Sequence, residues 1–259
     1  MTVILHTLKQ LLNSKVELYN QKDFIEKDPI SIPHKYSKKQ DIEIAGLFAA
    51  ILAWGNRTTI INNTNKIMQL MGDKPYEFIM NHEPEQLKPF TDFVHRTFNA
   101  TDLLYFITFL QYHYRQYESL ESAFVPLHDY FSPNVEAALV HFHNYFFSFE
   151  HPDRTKKHIA TPVNNSACKR INMYLRWMVR KDEQGVDFGI WAKIKPSQLI
   201  CPLDVHVARV AYRLQLIPDL KATWQNAVTL TAFLKKLNPN DPVIYDYALF
   251  GIGVAEKVD

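Results

Sequence analysis

Seven glycines in 259 residues leave this chain few places for tight left-handed turns. That is roughly a third of ordinary usage, and it disfavours Gly-rich β-sandwiches and the dinucleotide-binding fold, which depend on such turns. The apolar spacing is helical instead. Leu5, Leu8, Leu12, Val16 and Tyr19 form a stripe at steps of three and four. Asp41 to Met68 reads as a buried helix, a break near Gly55-Asn56, and a second helix carrying Ile60, Ile61, Ile67 and Met68. Leu103, Phe106, Leu110 and Tyr114 mark another. Ser132-Pro133 supplies a cap and a first-turn proline for a helix through Phe147. Asn238-Pro239 ends one helix and Asp241-Pro242 opens the next. Convincing strand alternation is absent, so the expectation is an all-α chain of about ten or more helices. Loops are expected near 21–40, 70–100 and 148–166.

The last loop, Glu150-His-Pro-Asp-Arg-Thr-Lys-Lys-His158, is polar and basic. The expectation is a single all-α unit over 1–259, in which this loop divides two interlocked helical lobes, 1–150 and 151–259, with a site in the cleft between them. Charge is uneven along the chain. Arg154 to Arg213 holds twelve Lys or Arg against four Asp or Glu, whereas the remainder holds seventeen against twenty-three. A basic segment on an otherwise acidic chain points to an anionic partner, nucleic acid first, although a solvated charged face has the same composition. Two cysteines, Cys168 and Cys201, can neither build a disulfide framework nor supply four thiolates to an iron–sulfur cluster. The longest apolar stretch, Ile44 to Trp54, is far short of the ~20 residues a bilayer span needs. No leader pattern opens the chain. These features lead to the expectation of a soluble, cytoplasmic, monomeric protein with no membrane segment.

Two segments carry the chemistry. The first runs from Asn165 to Arg180. Its apolar stripe is Cys168, Ile171, Leu175 and Met178, Asn165 or Ser166 can cap it, and a second face carries Lys169, Arg176 and Arg180. Lys169 sits in the first turn, where the helix dipole and neighbouring Arg170 both favour loss of its proton, as a nucleophilic lysine requires. The second segment is Cys201-Pro-Leu-Asp-Val-His-Val-Ala-Arg-Val-Ala-Tyr-Arg-Leu-Gln-Leu216. Asp204 reads as a helix N-cap, held by amide donors and kept ionised by the dipole, which suits a carboxylate that stabilises a developing cation. His206, Arg209 and Arg213 lie off its buried stripe. Most helix lysines are solvated and most N-cap aspartates are structural, so neither segment alone fixes a reaction.

Together they resemble the helix-hairpin-helix DNA glycosylase superfamily. Residues 202–214 are similar to its catalytic-aspartate segment, and Lys169, 35 positions before Asp204, stands where the bifunctional members carry their catalytic lysine. The arrangement is most similar to the archaeal 8-oxoguanine glycosylases, which lack the iron–sulfur cluster. Ala45 to Thr58 resembles the superfamily's early core helix, whose terminal loop enters the duplex; here that loop is Gly55, Asn56 and Arg57. A bacterial family of uncharacterised proteins is also suspected to carry the same Ser-Ala-Cys-Lys-Arg and Arg-Trp-Met-Val-Arg signature. The resemblance implies an all-α glycosylase-like fold and a DNA base-excision glycosylase with lyase activity on a damaged base, an oxidised purine by the archaeal likeness. Lys169 would form the Schiff base beside the Asp204 carboxylate. Asn56, Arg57, Arg170, Arg176, Arg180, His206 and Arg209 would contact DNA, and Trp54, Phe188 or Trp191 would stack on the extruded base. One departure is plain: the superfamily hairpin has a Gly-hydrophobic-Gly turn, whereas Thr161-Pro-Val-Asn-Asn-Ser-Ala167 has no glycine, leaving Asn164 or Asn165 to take a positive φ.

Rival readings are a monofunctional glycosylase with Asp204 activating water, and a nucleic-acid-binding protein that keeps the fold without the chemistry. A metal site at His141, His143, His151 and His158 is disfavoured, since positions i and i+2 on a helix point apart and no acid stands at ligand spacing. No metal or cofactor is called for.

Overall fold

A computed structural model describes residues 2–125 and 132–255. The fold is all-α. In chain order the helices are α1 (Thr2–Tyr19), α2 (Lys22–Glu26), α3 (Lys39–Ile51), α4 (Arg57–Leu70), α5 (Pro75–Asn81) and α6 (Ala100–Tyr114). They continue as α7 (Glu121–Phe124), α8 (Glu136–Phe146), α9 (Lys169–Val179), α10 (Val205–Arg213), α11 (Trp224–Leu237) and α12 (Tyr245–Ala255). One small hairpin, β1 (Val94–His95) with β2 (Phe98–Asn99), is the single sheet among the described residues. No helix among them is long and apolar enough to cross a membrane.

The chain divides into two compact units. One comprises Met1–Phe24, Phe131–Ala137 and Thr161–Asp259; the other comprises Ile25–Tyr130 and Ala138–Ala160. The expected division at residue 150 is therefore corrected: α1 belongs with the C-terminal third. The reason lies in α12. A Cβ on Gly251 would stand 2.1 Å from the Tyr19 ring, so this glycine lets α1 press directly onto α12. Tyr245 adds a hydroxyl donated to Asn13 Oδ1 at 3.1 Å. Such long-range contacts carry no local sequence signature.

In the second unit, α3 buries ten of its thirteen residues, including Glu43. That carboxylate accepts from the Tyr114 hydroxyl (2.9 Å), Ser119 Oγ (2.5 Å) and the Leu120 amide (3.1 Å), which is how a buried charge is tolerated. Phe106, Phe109, Phe142 and Phe146 pack against one another, edge-on or tilted, as an aromatic core of this unit.

Helix boundaries follow the capping chemistry with two differences. Asn56 caps α4, its Oδ1 accepting from the Thr59 amide at 3.1 Å. The helix expected from Ser132-Pro133 begins instead at Glu136, because Asn134 Oδ1 takes the Glu136 amide at 2.8 Å. The three expected loops also contain short helices and the hairpin, each cut short by proline or a turn.

Candidate active site

The first unit brings three helices to one place. Ahead of α9, Pro162–Asn164 forms a single 3-10 turn, and Asn165 ends it in the left-handed region at φ 52°. Asparagine thus supplies the positive φ in this Gly-free turn. Trp224 then donates its amide to Asn165 O at 3.1 Å, and Ser166 bridges Thr223, so this turn is tied to the start of α11. Cys168 is also left-handed, at φ 49°, an uncommon state for a residue with a side chain. Its amide donates to Ser166 Oγ at 3.2 Å, and Asn172 Nδ2 reaches back to Ala167 O at 3.0 Å. Neither Asn165 nor Ser166 is the cap of α9; Cys168 holds that position without a side-chain cap bond. Lys169 follows as the first helical residue.

Asp204 caps α10. Its Oδ1 accepts both the His206 amide (2.9 Å) and the Val207 amide (3.0 Å). Its Oδ2 is turned toward Lys169 Nζ, 3.7 Å away. The two side chains are 25% and 21% exposed, so the pair is held from within the protein and reached from solvent.

A buried acid lies nearby. Asp246, on α12, bonds the Arg176 guanidinium and sits 4.0 Å from Cys201 Sγ. Burial pushes its carboxyl up to about 6, Arg176 pulls the other way, and the charges of Asp204 and Lys169 both reach it. Burial likewise raises the Cys201 thiol well above its ordinary value, and that of Cys168 to about 12. Both cysteines are held as thiols and are poor nucleophiles.

Arg176 and Arg180 are corrected as DNA contacts. Arg176 Nε donates to Asp187 Oδ1 at 3.3 Å, and its guanidinium lies 4.4 Å above the Tyr247 ring. Arg180 has no exposed side chain; it pairs with Asp187 (3.0 Å), Asp241 (2.8 Å) and Asp182 (2.5 Å). The second basic face of α9 is therefore an interior one, covered by carboxylates. Arg170 is partly buried, and desolvation lowers its guanidinium to about 10. Arg209 is exposed on α10, and His206 is half-buried. Trp191 is buried edge-on against Tyr174 and offers no stacking face, whereas Phe188 is half-buried. Trp54, Asn56 and Arg57 belong to the other unit, with Asn56 exposed and Arg57 half-buried at the start of α4.

Of the expected site residues, the structure brings Lys169 and Asp204 into contact. Sequence reasoning missed Asp246 and Asp187. The signal for the first was an acid in the apolar run Tyr245-Asp-Tyr-Ala-Leu-Phe250. Among the described residues, no group of three or more His, Cys, Asp or Glu is arranged to hold a metal ion.

Residues 28–255 match the model of a family described as a protein of unknown function (DUF2400). No curated protein and no solved structure matches the chain.

Proposed function

The chain belongs to the DUF2400 family, and we propose that it is a DNA base-excision glycosylase with abasic-site lyase activity on a helix-hairpin-helix glycosylase-like fold. The observation that carries this reading is the Lys169–Asp204 pair: an amine at a helix start, 3.7 Å from a carboxylate oxygen whose partner oxygen is fixed by two amides. A carboxylate held in this way needs no reorganisation when positive charge develops beside it.

The reaction begins with a damaged nucleotide leaving the stack, at a cost of about a few kcal/mol. Lys169 gives up a proton to solvent and attacks the sugar C1′ through the Nζ lone pair, as the base departs with the bonding electrons. Asp204 stabilises the oxocarbenium charge through Oδ2. The amine and the opened sugar then form a Schiff base, and loss of a C2′ proton expels the 3′ phosphate. A damaged base, with an oxidised purine preferred, is the proposed substrate.

Borohydride trapping tests this directly, on duplex and single-stranded oligonucleotides carrying 8-oxoguanine, an abasic site or uracil. Wild type is expected to give a covalent adduct. Lys169→Gln should abolish it, and Asp204→Asn should slow it about 100-fold or more, the scale of removing one preorganised electrostatic partner. Base release without an adduct would replace this mechanism with water attack assisted by Asp204. DNA binding with neither outcome would leave the non-catalytic nucleic-acid-binding reading in its place.

A further inference from the structure

The hairpin of the second unit carries a strained arginine. Val94 pairs with Asn99 and His95 with Phe98, leaving Arg96-Thr97 as a two-residue turn. Such turns need positive φ and are dominated by glycine, asparagine and aspartate. Here Arg96 adopts φ 55°. Strain of this kind persists where surrounding structure enforces it, and it gathers at functional positions.

What enforces it is visible on both sides of the turn. Gly55 has φ +100°, and a Cβ there would stand 2.6 Å from Arg96 Nη1 and 3.3 Å from its Cδ. The arginine side chain therefore lies flat on the Gly55 backbone. On the other side, Arg154 donates to Thr97 O at 2.8 Å while pairing with the buried Asp102 at 3.3 Å. Asp102 is itself fixed by the Thr155 hydroxyl (2.8 Å) and the Asn99 amide (3.0 Å). One guanidinium, that of Arg96, is thus set against the exposed Gly55, and a second, that of Arg154, bonds the turn itself at Thr97. Arg96 is exposed and has no carboxylate within ion-pair distance among the described residues. A preset, uncompensated cation next to a second guanidinium matches the repeating negative charge of a phosphodiester backbone.

We infer that Arg96, clamped over Gly55 and flanked by Arg154, is a phosphate-binding face of the second unit that engages a nucleic-acid backbone. This rests on the nucleic-acid reading above and adds to it residues that the sequence did not single out.

The test is fluorescence anisotropy of a labelled lesion-free duplex with the full chain, titrated between about 50 and 200 mM salt. Arg96→Gly is the informative variant, because glycine takes φ 55° without strain and should melt no lower than wild type. It is expected to bind several-fold more weakly, with the slope of log K against log salt reduced by about one. Gly55→Ala, which both displaces the guanidinium and strains the backbone at φ +100°, should lose at least as much binding, and Lys88→Gln, the same charge change at an exposed site of the same unit, should not. Wild-type affinity and slope in Arg96→Gly would overturn the inference, as would an equal loss in Lys88→Gln. Failure of the wild type to bind duplex, with a Lys169 adduct still formed on a single-stranded abasic site, would overturn it and leave the lyase reading standing. Loss of binding in Arg96→Gly with no adduct in wild type would do the reverse.

Discussion

Arg180 and Asp187 meet at 3.0 Å with neither side chain exposed to solvent. The same guanidinium reaches Asp241 and Asp182, and Asp187 also accepts from Tyr247 and Arg176. A buried ion pair is weak evidence for stability by itself, because desolvation offsets the attraction. Removing one partner is another matter, since the fully buried Asp187 is left with Arg176 and the Tyr247 hydroxyl alone, and the half-buried Asp182 and Asp241 lose their cation. Arg180→Ala is therefore expected to destabilise the chain by about 3–5 kcal/mol, the scale for breaking a buried pair. Urea unfolding at low and at high salt checks this. The loss should be nearly the same at both, because buried pairs are screened little. An unchanged midpoint, with weakened DNA binding, would instead return Arg180 to the surface role expected from the sequence.

Two buried groups act on the acid limb of stability in opposite directions. His113 is fully buried, with Nε2 donating to Ser119 O at 2.9 Å and Nδ1 accepting from the Tyr145 hydroxyl at 3.2 Å. Desolvation lowers it from 6.5 to about 4. The unfolded chain therefore takes up this proton first, and stability falls as pH drops from about 6.5 toward 4, by about 3 kcal/mol at 1.36 kcal/mol per unit. Asp246 has the opposite sign. Its folded value lies above its unfolded one, so the folded state holds that proton more tightly and gains stability as pH falls through 6. Asp246→Asn removes the compensating group. Chemical denaturation at pH 7 and at pH 4.5 should show the variant losing more stability on acidification than wild type does. A parallel loss in both proteins would mean that Asp246 is ionised throughout this range.

The start of α10 is legible in the sequence because a cap acts locally. Pro-Leu-Asp before an amphipathic run places the aspartate two and three residues from the amides it binds. Asn56 before α4 is legible for the same reason. The partner of Asp204 is less so, since Lys169 comes from another helix, and only resemblance joined the two. The inward side of α9 is not legible at all. Arg176 finds Asp246 across 70 residues and Arg180 finds Asp241 across 61, so a helical wheel shows a basic face and omits what covers it. Left-handed Cys168 and Arg96 escape for a related reason: their φ is imposed by neighbours and contradicts their own preferences. A shortage of glycine excluded folds correctly, yet it concealed the turns that the chain makes without glycine.

Gly253 links packing to the proposed chemistry. It lies on α12, where a Cβ would stand 3.0 Å from His206 O and 3.2 Å from its carbonyl carbon. That carbonyl belongs to the first turn of α10, which presents Asp204 through the His206 and Val207 amides. Gly253→Ala must therefore push the turn outward by a few tenths of an ångström, and the obstacle is backbone, not a yielding side chain. Overpacking of this kind costs about 1–3 kcal/mol. The displacement also moves Asp204 relative to Lys169, and misplacement near 1 Å is enough to cost about 100-fold in rate. The expected result is a Lys169 adduct that forms several-fold more slowly, with most of the fold's stability retained. Single-turnover trapping on an abasic site, beside a thermal melt, reads both. Gly251→Ala, which meets the Tyr19 ring of α1 at 2.1 Å, is the comparison. It should lower the melting temperature at least as much while leaving the adduct rate closer to wild type. Equal slowing in the two variants would mean that α12 acts on the pair only through global stability.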